Sequence, residues 1–191
     1  MSDSKHCPVT GEIHCKCLYP RDKNIVLLPV DLKSTLRKLF TDHAVYTALV
    51  MKSIVDHGKD TEILVNRLLS NQKDIGDQLR SILGDNKANT ITFLLTEHVK
   101  LAGDVMKAAS EKDKSLDDKI RKLFANGDQI AAALSIVNYK IIQPMFHIHN
   151  QFVIDMTLAR AQGRYSQEQE LYDGYYTEIL AMSDAIATGL M

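Results

Sequence analysis

Three histidines, His43, His98 and His149, each fall among apolar residues at helical spacing. His43 lines up with Leu36, Leu39, Tyr46, Val50 and Ile54; His98 with Ile91, Leu94, Leu101 and Val105; His149 with Met145, Phe152 and Met156. Residues three or four apart share a helix face, so each imidazole is expected to point inward. There it needs a partner, because an unpaired buried polar group costs about 1–3 kcal/mol. Two readings supply one. With Glu178, on the last helical stretch, the three histidines make a donor set that suits zinc or non-haem iron. In the other reading each histidine bonds an Asn or Asp on a neighbouring helix and fixes helix register. Asn71, Asp74, Asn126 and Asp128 are the residues expected to do this, or to stand behind a ligand histidine. Neither the E-x-x-H pair of di-iron bundles nor an H-E-x-x-H motif occurs.

A second candidate group lies at the front of the chain. His6, Cys7, His14, Cys15 and Cys17 fall within twelve residues. Cysteine and histidine are zinc ligands, so Cys7, His14, Cys15 and Cys17 are candidates for a structural site. The C-x7-C-x-C spacing lacks the usual C-x2-C knuckle, and a docking arm with inert thiols is the competing reading. Cys7-Pro8 has the form of a haem-regulatory dipeptide, a signal too short to carry weight.

No residue is assigned a catalytic role. Asp42 and Glu97 lie one step off the histidine stripes, about 100° around the helix, and are expected at solvent or a helix boundary. There is no G-x-S-x-G elbow, Walker loop or dinucleotide glycine pattern. Gly76 and Gly103 fall inside helical stretches, where glycine costs up to about 1 kcal/mol relative to alanine. Each marks either a close helix approach or room for a ligand. Tyr165, Tyr172, Tyr175 and Tyr176 are expected as core plus rim, with a partner surface as the alternative.

The elements that position these residues are helices. Periodicity predicts six, over about 32–57, 61–83, 88–110, 115–138, 144–162 and 166–188, with Pro144 in the first turn of the fifth. Short connections make sequential helices antiparallel, so the fold class is all-α: an up-and-down bundle of about six helices arranged as three hairpins. The first two hairpins read as a duplication. TDHAVYTALVMK, from Thr41, and TEHVKLAGDVMK, from Thr96, superpose at a shift of 55, and the same shift carries Leu68, Asn71, Ile75 and Leu79 onto Leu123, Asn126, Ile130 and Leu134. Nine of 31 aligned positions are identical, and the matches fall on inward positions, polar ones included. Residues 1–30 hold three of the four prolines and all three cysteines, and read as an N-terminal arm before a bundle domain over 31–191.

Composition narrows the class of function. Hydrophobic content of 45% and a formal net charge of −1 describe a soluble globular chain with no pull toward nucleic acid or an anionic membrane. No apolar run is long enough for a membrane span, and MSDSKHCPVTGEIHCKC has no apolar core of a signal peptide. An odd three cysteines argue against a disulfide framework. A cytoplasmic location is therefore expected, or one in a virus particle assembled in the cytoplasm.

The strings LFTDH, RLLSNQKDIG, LLTEHVKLAG and FANGDQIAAAL, and the tail from HNQFVIDMTLARAQGRY to EILAMSDAIATGL, resemble a poorly characterised family of small helical proteins common in soil bacteria. The resemblance runs from Leu36 to Leu190. It implies a helical fold and recurring polar positions at His43, Asn71, Asp74, Glu97, His98, Asn126, Asp128, His149 and Asp184; the bacterial members usually have histidine where this chain has Glu178. The Cys-rich head departs from them. Some members carry the label acetylglutamate kinase, which fits neither an all-helical chain nor one without glycine-rich phosphate loops. The expected function is a non-enzymatic binding or structural module, either without a cofactor or with a zinc or iron site in its core, working with a protein partner or as a homo-oligomer. A metal-dependent bundle enzyme and a virion component docking through its N-terminal arm are the alternatives.

Overall fold

The computed structural model of the protein describes residues 31–134 and 138–190. Those residues form six helices: α1 (Leu32–Val55), α2 (Thr61–Leu83), α3 (Asp85–Glu111), α4 (Leu116–Ala133), α5 (Tyr139–Ala161) and α6 (Tyr165–Leu190). Among the described residues there is no strand. The Asp31 side chain accepts the Ser34 N–H at 2.7 Å and caps α1; Asn138 caps α5 in the same way through Lys140. The link from α2 to α3 is Gly84 alone, at φ +75°, a conformation open to glycine and closed to most side chains. Lys112, left-handed at φ 55°, ends α3.

Four expectations about the elements change, the first being that α4 ends at Ala133 and not near 138. Helix α5 begins at Tyr139, so Pro144 lies in its second turn rather than its first. The bond it forgoes is the one to the Lys140 carbonyl, in the exposed opening turn. Helix α3 begins three residues earlier than periodicity suggested, because its first turn is polar and carries no apolar stripe. Ser115 does not cap α4 with its side chain; its N–H donates to Asp113 Oδ1 instead. Cys7, His14, Cys15 and Cys17 lie outside the described residues.

The hairpins α1–α2, α3–α4 and α5–α6 close into a ring. Helices α1, α3 and α5 touch one another at the centre. Around them α2 bridges α1 and α3, α4 bridges α3 and α5, and α6 bridges α5 and α1. This is a threefold pseudo-symmetric bundle with three inner and three outer helices. The inner helices run parallel, so residues at matching heights meet near one axis. The core is continuous, from Leu36 and Phe40 through Ile91, Met106, Leu123 and Phe146 to Met156, Tyr175 and Ile186. Two glycines set close helix approaches. A Cβ on Gly76 would lie 1.7 Å from Thr92 Oγ1, drawing α2 onto α3, and one on Gly174 would lie 2.8 Å from the Phe152 ring. None of the described helices is long and apolar enough to cross a membrane.

Candidate functional site

Each inner helix contributes one histidine at the same height. His43, His98 and His149 are 8%, 4% and 4% exposed. The His149 ring lies between the other two, its centroid 5.7 Å from that of His43 and 5.9 Å from that of His98, and Tyr175 packs 5.1 Å from it.

The Nδ1 of each imidazole faces the outer helix of its own hairpin. His98 Nδ1 donates to Asn126 Oδ1 at 2.7 Å, and Asn126 Nδ2 in turn donates to the Leu94 carbonyl at 3.2 Å. That second bond fixes the amide, so the His98 proton sits on Nδ1 and Nε2 keeps a free lone pair. His43 is the reverse. Gln72 Nε2 lies 3.0 Å from His43 Nδ1, 3.0 Å from the Leu68 carbonyl and 3.1 Å from Asn71 Oδ1. Two oxygens beside it identify that atom as the donor nitrogen, so His43 Nδ1 accepts and its proton is on Nε2, 3.4 Å from Thr47 Oγ1. His149 Nδ1 stands 3.4 Å from Glu178 Oε2, without a hydrogen bond. Asn71 reaches the site indirectly: it holds Gln72 and donates to the Leu39 carbonyl at 2.9 Å. The Leu39 and Leu94 carbonyls are 55 residues apart, as are Asn71 and Asn126.

The two flanking histidines are neutral at ordinary pH. Burial, then the neighbouring imidazoles of His149 and His98, holds His43 well below the usual imidazole range. Burial, helped by His149, brings His98 down to about 4. Burial also pushes the Tyr175 hydroxyl far up, with Glu178 adding to the shift. The polar complement is incomplete. His149 Nδ1, Asn150 Oδ1, Tyr175 Oη, both Glu178 carboxylate oxygens and Ser183 Oγ are buried without a hydrogen-bond partner. Native cores leave few such atoms unpaired, so a run of them calls for something that binds there.

Small cavities of about 20 Å³ flank the imidazole layer on both sides. One lies toward Phe40, Leu95 and Phe146, the other toward Val50, Ala102, Met106 and Val153. Each holds about one water molecule and neither holds an organic substrate.

The arrangement alters the expected site. His43, His98, His149 and Glu178 do come together, with Asn71 and Asn126 behind them. Asp74 and Asp128 do not stand behind the core histidines. Asp74 is exposed on α2. Asp128 Oδ1 accepts from His147 Nε2 at 2.8 Å and Gln143 Nε2 at 2.9 Å, outside the core. Both lie a step or more off the inward face, so register denies them the site. Gln72, Asn150 and Tyr175 take the supporting roles. Gln72 was detectable by count: it follows His43 by 29 residues, as Glu178 follows His149. Asp42 pairs with Lys38 and Glu97 with Lys100, both at the helix boundary as expected.

The donor chemistry fits a borderline transition metal: the His43 and His98 imidazoles held neutral, a lone pair ready on His98 Nε2, and a buried carboxylate without a hydrogen bond. The spacing does not yet close. As the side chains stand, no three His, Cys, Asp or Glu groups among the described residues surround a common point at ligand distance. Comparisons with protein-family models, curated proteins and solved structures give no match to this chain.

Proposed function

We propose that this protein is a binding module that takes one divalent transition-metal ion at the centre of its bundle. His98, His149 and Glu178 would supply the donors, and His43 would complete the set once its proton moves from Nε2 to Nδ1 and its ring turns. The observation that carries the reading is the set of unpartnered buried atoms around three imidazoles from three separate hairpins. A carboxylate in such a place is costly unless a cation offsets it. The ring centroids already lie 5.7 and 5.9 Å apart, so side-chain rotations would be the movement that brings the donors together.

The equivalent amide bonds to the Leu39 and Leu94 carbonyls support a duplicated hairpin as the origin of the first two units. We extend this to a shared fold with the helical bacterial family, on the order of motifs from Leu36 to Leu190. Those amide bonds also favour a second reading, in which the histidines only fix helix register.

Metal content of untagged full-length protein separates the two. It is measured by elemental analysis after anaerobic addition of zinc or ferrous iron. The metal reading expects near-stoichiometric metal, kept by a Cys7→Ser/Cys15→Ser/Cys17→Ser variant and lost by His98→Ala. Metal lost with the cysteines instead would move the site to the N-terminal arm. None in any form would leave register as the function of the core.

A further inference from the structure

Three helix-interior glycines, Gly76, Gly127 and Gly174, have packing reasons: a Cβ on each would press on Thr92, on Asn150 and Phe146, or on Phe152. Gly103, in the middle of α3, has none. A Cβ there would meet no atom within 4 Å. Glycine inside a helix is destabilising relative to alanine, so an unexplained one points to a use for the space. Gly103 lines the cavity on the C-terminal side of the imidazole layer, together with His43, His98 and His149. Every other residue lining that cavity is buried; Gly103 alone is partly exposed. The corresponding cavity on the opposite side has a fully buried lining.

We infer that Gly103 is the portal of the histidine site, its missing side chain leaving a path from solvent to the imidazoles that admits a single ion or water molecule and excludes organic ligands. The size limit follows from the cavity, about 20 Å³, room for one water. Val99, Ala102 and Met106 form the apolar wall beside the portal. An ion passing there sheds water before it meets a donor, and His98 Nε2 carries the lone pair to receive it. The inference rests on the metal reading for its ligand; the path itself stands on the geometry.

Cobalt(II) uptake by full-length protein, followed through its absorbance in a stopped-flow instrument, tests the portal. Gly103→Leu is expected to slow loading by about tenfold or more while leaving the final stoichiometry unchanged, with Gly103→Ala in between. Asp104→Leu, on the exposed face one residue on, should load as the wild type does. Loading of both Gly103 variants at the wild-type rate overturns the portal; should Gly103→Leu fail to fold, Gly103→Ala decides. If the wild type takes up no cobalt, the metal reading falls, and hydrogen–deuterium exchange at the imidazole Cε1 decides the portal by mass spectrometry. Slower exchange at His98 and His149 in the Gly103 variants, with exposed His57 unchanged, supports the path. Unchanged exchange at all three overturns it.

Discussion

Proton position distinguishes the three core imidazoles. His98 is held with its Nδ1 proton on Asn126, whereas His43 receives its hydrogen bond there from Gln72. Their neutrality ties stability to pH. Above about pH 6.5 neither folded nor unfolded chain protonates His98; from there down to about 4 only the unfolded chain does; below that both do. Stability therefore falls as pH drops through that window. His98 alone accounts for about 3 kcal/mol over the full range. Denaturant unfolding at pH 7, 6, 5 and 4 should give a shallower slope for His98→Asn than for the wild type; equal slopes would contradict a neutral buried His98. Glu178 gives a second prediction. Glu178→Gln replaces a buried carboxylate that makes no hydrogen bond, so metal-free protein should gain about 1–2 kcal/mol, measured by the same unfolding, while metal binding weakens. A loss of stability would mean the carboxylate serves the apo fold.

At the scale of elements, the same residue type has opposite uses in two helices. Gly76 lets α2 lie against α3, and its Cβ would meet both Thr92 Oγ1 and Thr92 Cβ, so rotating one side chain does not relieve the contact. Gly76→Ala should cost about 1–3 kcal/mol, and adding Thr92→Ala should recover much of it. Gly103→Ala has open space and should instead stabilise α3 by up to about 1 kcal/mol. Thermal unfolding of the variants reads both signs directly. Sequence periodicity detected that both glycines were anomalous. It could not separate them, because the distinction lies in what stands across the helix interface.

At the scale of the whole molecule, the ring must close between its first and last hairpins. At one end Arg160, from α5, reaches Asp56 after α1 through Nε at 3.1 Å and Glu168 of α6 through Nη1 at 2.8 Å. Lys52 of α1 adds a contact to Glu168 at 3.5 Å. Glu168 is 1% exposed, so taking away its arginine leaves a buried charge with only the longer Lys52 contact. Arg160→Met should cost about 3 kcal/mol or more in chemical unfolding. At the other end Lys33 and Arg37 pair with Asp184 nearer solvent, and Arg37→Met should cost at most about 1 kcal/mol. Similar losses at both ends would contradict this difference in burial.

Helix number, hairpin order and the inward turn of His43, His98 and His149 are local properties, written in apolar spacing that any single helix must obey. So was the equivalence of Asn71 and Asn126, preserved at a constant shift. Depth and neighbours are properties of the assembly. Asp74 and Asp128 were attractive partners by type and proximity in sequence, yet their register turns them away, and Gln72 and Asn150 occupy the space. Which imidazole holds its proton on Nδ1, why Glu178 makes no hydrogen bond, and that Gly103 faces empty space all depend on atoms from three or four helices meeting at one height. Only the packed bundle brings those atoms together, because His43 meets Gln72, His98 meets Asn126 and His149 meets Glu178 across 28 or 29 positions of chain.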